Sequence, residues 1–275
     1  MEIIFAKEYG FCYGVKRAVE LADNAATLQG ATYTLGNLIH NPRVVADLAA
    51  KGVGNIDSVQ EAPHGANIII RSHGTLAAVY PALAAKDCQL VDATCPNVRK
   101  AQKTAEEFQQ AGKKVLIIGD ANHPEVQSIA SWAVEPIIFE ELAIVDTLPA
   151  ELEYGILCQT TLEQPKFAAI VEAIKARGLM YEVKPTICLA TKRRQDAAME
   201  LAATVDAMLI VGGFKSANTR HLYELVKEIC PAWHIEGPEG LEASMFTNVN
   251  KLGITAGAST PEWLIQEVVD KLKTF

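Results

Sequence analysis

The sequence predicts an α/β protein built from three related modules, each alternating short parallel strands with helices. Two observations carry this, and a third binds the modules together. Nearly every apolar run is strand-length, is followed by a helical stretch, and has the continuous apolar character of a strand buried on both faces. A cysteine segment occurs three times: Cys12-Tyr13-Gly14-Val15-Lys16-Arg17, Cys95-Pro96-Asn97-Val98-Arg99-Lys100 and Cys188-Leu189-Ala190-Thr191-Lys192-Arg193. In each, a cysteine opens a helix, a β-branched residue follows three positions on, and two cations come after it. The copies lie farther apart than the ~20–50-residue period of solenoid repeats, so each marks a module. No Pro/Gly/Ser linker or low-complexity run separates the modules, which are therefore expected to pack together.

Residues 2–6 form an apolar strand feeding Gly10-Phe11-Cys12, after which Val15, Ala18, Val19, Ala22 and Ala26 fall at helical spacing. Thr32–Leu35 is the next strand. Beyond it Asn41 suits a helix N-cap and Pro42 the first helical position, with Gly52 as the stop. A strand at 67–71, the loop Ser72-His73-Gly74-Thr75 and an alanine-rich helix to about Lys86 precede the strand 89–92, which delivers Cys95. The helix that Cys95 opens ends near Gly112. The second module has strands at 114–118, 136–139 and 154–158, and a short helix opened by Asp120-Ala121-Asn122-His123-Pro124-Glu125-Val126. A helix from Glu163 to Arg177 follows, and Cys188 then opens another over 190–204. The third module holds strands at 207–211, 232–235 and 251–255, the loops Gly212–Asn218 and Ala256–Thr260, a helix to about 229, and a last helix begun by Pro261.

The 275 residues are 49% hydrophobic, enough for real cores, and the apolar runs fall far short of the ~20 residues of a membrane span. No cationic leader precedes an apolar block, so a cytoplasmic protein without a membrane partner is expected. A net charge of -8 argues against a nucleic-acid partner. Six cysteines, at 12, 88, 95, 158, 188 and 230, include no C-x-x-C pair, which removes zinc ribbons, thioredoxin-like pairs and the bacterial ferredoxin run. A disulfide framework is not needed at this size.

In open parallel sheets, ligands bind beyond the carboxyl ends of the strands. His40, His73, His123, Glu125, Thr160, Thr161, Ser216, Asn218 and Ser259 all fall in strand-to-helix loops, whereas His221 and His234 lie inside elements and His64 in a Pro-Gly turn. One loop histidine is ordinarily a solvated side chain. Three in equivalent places, beside Ser216-Ala217-Asn218 and Gly257-Ala258-Ser259, point to a phosphate or diphosphate held by imidazoles, hydroxyls and backbone N–H groups. Serine and asparagine are also ordinary helix caps.

A thiolate is favoured at a helix N-terminus by the exposed N–H groups and the positive end of the macrodipole. No H-x3-H, H-E-x-x-H or paired-cysteine spacing supports zinc. Three thiolates from three modules suit a 4Fe-4S cluster, which normally takes four protein ligands. Three ligands leave one iron open to substrate. Cys88, Cys230 and Cys158 read as small core residues, with contact to the site left open for Cys158, which stands at a strand end beside Gln159-Thr160. The cation pairs Lys16/Arg17, Arg99/Lys100 and Lys192/Arg193 offset a cluster's negative charge, form a docking face for an acidic electron donor, or are simply solvated. Two other classes remain open: a cluster-bearing redox sensor or carrier, which needs no anion pocket, and a phosphate-binding hydrolase, which leaves three cysteines unexplained.

The motifs Gly-Phe-Cys-x-Gly-Val-x-Arg-Ala at 10–18, His-Asn at 40–41, Ser-His-Gly at 72–74, Asp-Ala-Thr-Cys-Pro at 92–96, His-Pro-Glu-Val at 123–126, Gln-Thr-Thr-Leu at 159–162, Ile-Cys-x-Ala-Thr-x-x-Arg-Gln at 187–195 and Thr-Ala-Gly-Ala-Ser at 255–259 run in order along the chain. This set resembles the 4-hydroxy-3-methylbut-2-enyl diphosphate reductase family. The resemblance implies a pseudo-threefold trefoil of α/β domains at 13–95, 96–185 and 186–275 plus 1–12, around a central 4Fe-4S cluster on Cys12, Cys95 and Cys188. It implies that His40, His73, His123, Thr160, Ser216, Asn218 and Ser259 bind the allylic diphosphate and that Glu125 and Thr160 are catalytic. The implied reaction is reductive dehydroxylation of (E)-4-hydroxy-3-methylbut-2-enyl diphosphate, its hydroxyl at the open iron, to isopentenyl and dimethylallyl diphosphate. This is the last step of the methylerythritol phosphate route, with ferredoxin or flavodoxin as electron donor. Three positions depart from the family pattern: Ala217 for a serine of some members, Asn122 for a glycine, and Cys158 for a hydroxyl residue.

Overall fold

The computed structural model describes all 275 residues, Met1–Phe275. Three four-stranded sheets form, and every strand pair in them is parallel. The N-terminal strand β1 (Glu2–Phe5) opens the chain but belongs to the last sheet. The first sheet has the order β3-β2-β4-β5, from β2 (Thr32–Leu35), β3 (Val53–Ile56), β4 (Asn67–Ile70) and β5 (Gln89–Asp92). The second has the order β7-β6-β8-β9, from β6 (Lys114–Ile118), β7 (Ile137–Phe139), β8 (Glu153–Cys158) and β9 (Met180–Val183). The third joins β10 (Ala207–Val211), β11 (Ala232–Ile235) and β12 (Lys251–Ala256) to β1, in the order β1-β12-β10-β11. Read from its β11 edge, the third sheet has the same plan as the other two, with β1 in the role of β5 and β9.

By internal contacts the chain divides into two compact units. One comprises Met1–Lys16, Ile39–Asp47 and Leu189–Phe275 and holds the third sheet; the other comprises Arg17–Leu38 and Leu48–Cys188 and holds the first and second.

Helices cover the sheets, which is why the central strands are largely apolar. Every residue of β4 and of β10 is buried. On one face of the second sheet, α4 (Pro96–Gln110) and α5 (Pro124–Ala130) contribute Ala101, Ala105, Phe108, Val126 and Ile129; on the other, α6 (Gln164–Ala176) contributes Phe167, Ile170 and Ile174. Gly155 in β8 is required by this packing, because a Cβ there would run into the Phe108 ring. In the third sheet, α7 (Leu189–Ala202) and α8 (Ala217–Lys227) cover one face and α9 (Glu262–Leu272) the other. The remaining helices are α1 (Tyr13–Ala25), α2 (Pro42–Ala50) and α3 (Val79–Ala84).

Two strands were not visible in the sequence, β3 and β9. Both are edge strands paired on one side only, and their sequences, Val-Gly-Asn-Ile and Met-Tyr-Glu-Val, lack the unbroken apolar run of the inner strands. The alanine-rich helix after Thr75 is also much shorter than expected. Pro81 has no N–H to donate and tolerates only the first turn, so α3 starts at Val79, and Asp87, with φ 54°, ends that connection.

Candidate active site

The three cysteines are built alike. Cys12 immediately precedes α1, Cys95 is the N-cap of α4, and Cys188 immediately precedes α7. The Cys95 N–H donates to the Ser72 carbonyl at 2.9 Å, that of Cys188 to Thr160 at 2.8 Å, and that of Cys12 to Ala258 at 3.2 Å. Each acceptor lies in a tight turn after the neighbouring central strand. These turns close by Gly74 N–H to Arg71 O (2.9 Å), Leu162 N–H to Gln159 O (3.1 Å) and Thr260 N–H to Gly257 O (3.0 Å). The threefold repeat seen in the cysteine segments therefore extends to the loops beside them. All three cysteines are partly exposed. At Cys12 the Val15 N–H points at Sγ (3.5 Å), the contact expected where a helix start faces an anionic sulfur. Three soft, accessible donors of this kind fit an iron-sulfur cofactor.

Each sheet reverses its strand order between its central pair, β2/β4, β6/β8 and β10/β12, and open α/β sheets bind ligands at such switch points. The anticipated residues leave the carboxyl ends of these strands.

In the unit that holds the third sheet, Asn41 caps α2 as expected. Its Oδ1 accepts from the N–H groups of Arg43 (3.0 Å) and Val44 (3.3 Å), and its Nδ2 donates to the Ser259 carbonyl at 2.9 Å. Ser259 Oγ in turn donates to the His40 carbonyl at 3.4 Å. The loop Gly212–Ser216 comes up against the same carbonyl, since a Cβ on Gly213 would clash with it. His40, Ser259 and the start of α8 are thus gathered together. Ser216 is the N-cap of α8, its Oγ accepting from Thr219 N–H at 3.4 Å, which leaves its proton available for a ligand. Asn218 is 5% exposed, yet neither its Oδ1 nor its Nδ2 has a partner. A buried, unsatisfied amide is costly, so a ligand is the natural acceptor for its N–H groups.

In the other unit, His73 and His123 meet edge to face with ring centroids 5.5 Å apart. His123 caps α5: its Nδ1 accepts from Glu125 N–H at 3.1 Å, so in the neutral ring Nε2 carries the proton. Asn122 fits this loop without the left-handed backbone that glycine permits, its N–H donating to Asp120 Oδ1 at 2.9 Å. Glu125 is 3% exposed. Its Oε1 accepts from Thr160 N–H at 2.6 Å and its Oε2 from Thr160 Oγ1 at 3.0 Å. Burial pushes its carboxyl above the ordinary carboxylate range, and the two Thr160 contacts only partly oppose this. A carboxyl so placed is shifted toward its protonated form and lies against the Thr160 hydroxyl.

Cys158 stands apart from the other three. It is fully buried among Leu116, Ile118 and Phe139, with the Thr186 hydroxyl at its backbone, and burial pushes its thiol up to about 11. Such a group is a core thiol. The cation pairs are partly committed within the fold. Arg17 donates to the carbonyls of Thr94 (3.2 Å) and Asp92 (3.3 Å), Arg99 is bound to Asp92 and Tyr80, and Lys192 pairs with Asp196 at 2.7 Å. The docking surface read from the sequence therefore loses Arg17 and Arg99, both of which brace the approach to Cys95. Buried Arg194 does the same for Cys12, donating to the Gly10 carbonyl at 2.9 Å.

One further residue, Asn97, was not singled out from sequence, and Thr161, which was, gains a place in the threefold pattern. Thr161 occupies the turn position of His73 and Ser259, a relation visible only once the three turns are superimposed in register. Asn97 donates from Nδ2 to the Cys188 sulfur at 3.1 Å.

Comparison with known proteins places the chain in a family. Residues 3–273 match the model of the LytB protein family. A 4-hydroxy-3-methylbut-2-enyl diphosphate reductase of Citrifermentans bemidjiense is 43% identical over 277 residues, covering 100% of this chain and 98% of the relative. The protein of the same name from Geobacter sulfurreducens is 43% identical over 280 residues, with the same coverage. Among solved structures, an (E)-4-hydroxy-3-methyl-but-2-enyl diphosphate reductase, described as the terminal enzyme of the non-mevalonate pathway, matches with a TM-score of 0.75 and 37% identity over 100% of both chains. The E-1-hydroxy-2-methyl-but-2-enyl-4-diphosphate reductase from Plasmodium falciparum matches with a TM-score of 0.93 and 29% identity, over 99% of this chain and 88% of that one. With its motifs, parallel sheets and cysteine turns all in place, the chain belongs to the LytB family.

Proposed function

We propose that this protein reduces (E)-4-hydroxy-3-methylbut-2-enyl diphosphate to isopentenyl and dimethylallyl diphosphate. Two electrons and two protons enter, the allylic C–O bond breaks, and the oxygen leaves as water. The observation that carries this reading is the like construction around Cys12, Cys95 and Cys188, each of whose N–H groups donates to the same position of a tight turn that follows a central strand. Those cysteines would hold a 4Fe-4S cluster, which supplies single electrons and a Lewis-acidic iron lacking a protein ligand.

The chain's own residues do the rest. Ser216, Asn218 and Ser259, with His40, His73 and His123, hold the diphosphate through N–H and O–H donors at helix starts. Anchoring that end fixes where the allylic hydroxyl lies. Glu125, whose carboxyl burial shifts toward the protonated form, supplies the proton that turns the departing oxygen into water, and Thr160 relays it. The electrons come from a soluble ferredoxin or flavodoxin in the cytoplasm. No helix is long and apolar enough to cross a membrane.

Purification without air, followed by iron and sulfide assay and turnover of the allylic diphosphate with a small chemical reductant, tests the proposal. Iron-loaded protein that forms both products is expected, and Cys12→Ser, Cys95→Ser and Cys188→Ser should each lose the cluster. Protein that holds no iron would sink the reading.

A further inference from the structure

Asn97 is the second residue of α4, two positions past Cys95, and its Nδ2 donates to the sulfur of Cys188 at 3.1 Å. The helix opened by one cysteine thus reaches the sulfur of another. With the sulfur bound to a metal as a thiolate it carries no proton, so the amide must present its NH2 group and not its oxygen. At Cys12 the corresponding donor is a backbone N–H, that of Val15 at 3.5 Å, which no substitution short of proline removes. At Cys188 the contact is shorter and depends on one side chain. Its placement is fixed locally by Pro96, which sets the first helical residue, and by buried Val98, which turns the neighbouring position inward.

We propose that Asn97 sets the reduction potential of the cofactor at Cys188. The inference rests on the cluster assignment made above. A hydrogen bond to a metal-bound thiolate withdraws electron density from the sulfur and favours the state with one more electron, so it raises the potential. Asn97 is therefore a positioning residue: it acts on the ligand sulfur and need not touch substrate.

The test is a redox titration of the iron-loaded protein without air, following the paramagnetic signal of the reduced state. Asn97→Leu and Asn97→Ala are compared with the parent and with Gln110→Leu, which removes an exposed amide at the far end of α4. A lower midpoint is expected in both Asn97 variants. Loss of a factor of about ten in the one-electron equilibrium constant corresponds to about 59 mV. Gln110→Leu should titrate like the parent. Unchanged midpoints in loaded Asn97 variants would overturn the inference, as would an equal shift in Gln110→Leu. Failure of both Asn97 variants to load would assign the residue to assembly and overturn the tuning role. A parent protein without iron refutes the cluster assignment itself, which keeps the two failures distinct.

Discussion

Replacing Glu125 by glutamine tests the proton-transfer reasoning most directly, because the substitution preserves shape and removes only the acid. The carboxyl is buried and accepts from Thr160 at two atoms, 2.6 Å from N and 3.0 Å from Oγ1. The amide oxygen keeps the first contact, and the Thr160 hydroxyl can turn to accept from the new NH2 group. The structural cost should be about 1 kcal/mol, the worth of one rearranged hydrogen bond. Loss of a positioned acid costs about 10²–10⁴-fold in rate, or about 3–5 kcal/mol in the barrier. Turnover without air, with a chemical reductant, should therefore fall by that factor in kcat, while KM stays within a few-fold because the diphosphate is held by other residues. Iron content should match the parent. A second consequence concerns pH. A carboxyl whose folded pKa is raised favours the fold while it is protonated, fully so below its ordinary value of 4.5, and this contribution is lost as pH rises through the raised value. The stability of the parent relative to Glu125→Gln should fall across that window by up to about 1.4 kcal/mol per pH unit, as read by denaturant unfolding. A variant that turns over at nearly the parent rate, or a stability difference that does not change with pH, would refute the assignment.

Other expectations follow from the same geometry. Asn218→Leu removes two buried, unpartnered polar atoms, so the fold should not suffer, while the loss of an amide donor to an anion, about 1.5–3 kcal/mol, should raise KM for the diphosphate by about 10–150-fold. Arg194→Leu deletes the bond to the Gly10 carbonyl and should cost about 1.5–3 kcal/mol in unfolding, along with reduced iron content from a loosened Cys12 turn. Cys158→Ala should keep its iron, in contrast to the three site cysteines, and the parent's Cys158 should resist alkylation well above neutral pH because its thiol is pushed up to about 11; iron assay and thiol labelling read both. Gly257→Ala sets a Cβ against Thr219, so it should destabilise the turn that carries Ser259 and weaken substrate binding together with thermal stability.

Much of this was legible in the chain itself. The inner strands Asn67–Ile70, Lys114–Ile118 and Ala207–Val211 fall where their apolar runs place them, because a parallel strand covered on both faces leaves a nearly unbroken signal. The three cysteines open helices, as their spacing to the cation pairs predicted, and Asn41-Pro42 caps α2 as those residue types require. The edge strands β3 and β9 gave no such signal, since one pairing partner and partial exposure relax the demand for apolar residues.

The sequence by itself determined the element types, the repeated cysteine device and the residues that could bind an anion, because these depend on local periodicity, capping chemistry and side-chain type. Only the tertiary structure decided what each group became. It turned Arg17 and Arg99 from surface cations into braces for Cys95, set Thr161 in register with His73 and Ser259, and brought Asn97 to the Cys188 sulfur. It also raised Glu125 and Cys158 above their ordinary pKa ranges. The reason is physical: burial and hydrogen-bond partnership are properties of neighbours distant in the chain, and no local pattern of residues encodes which neighbours those will be.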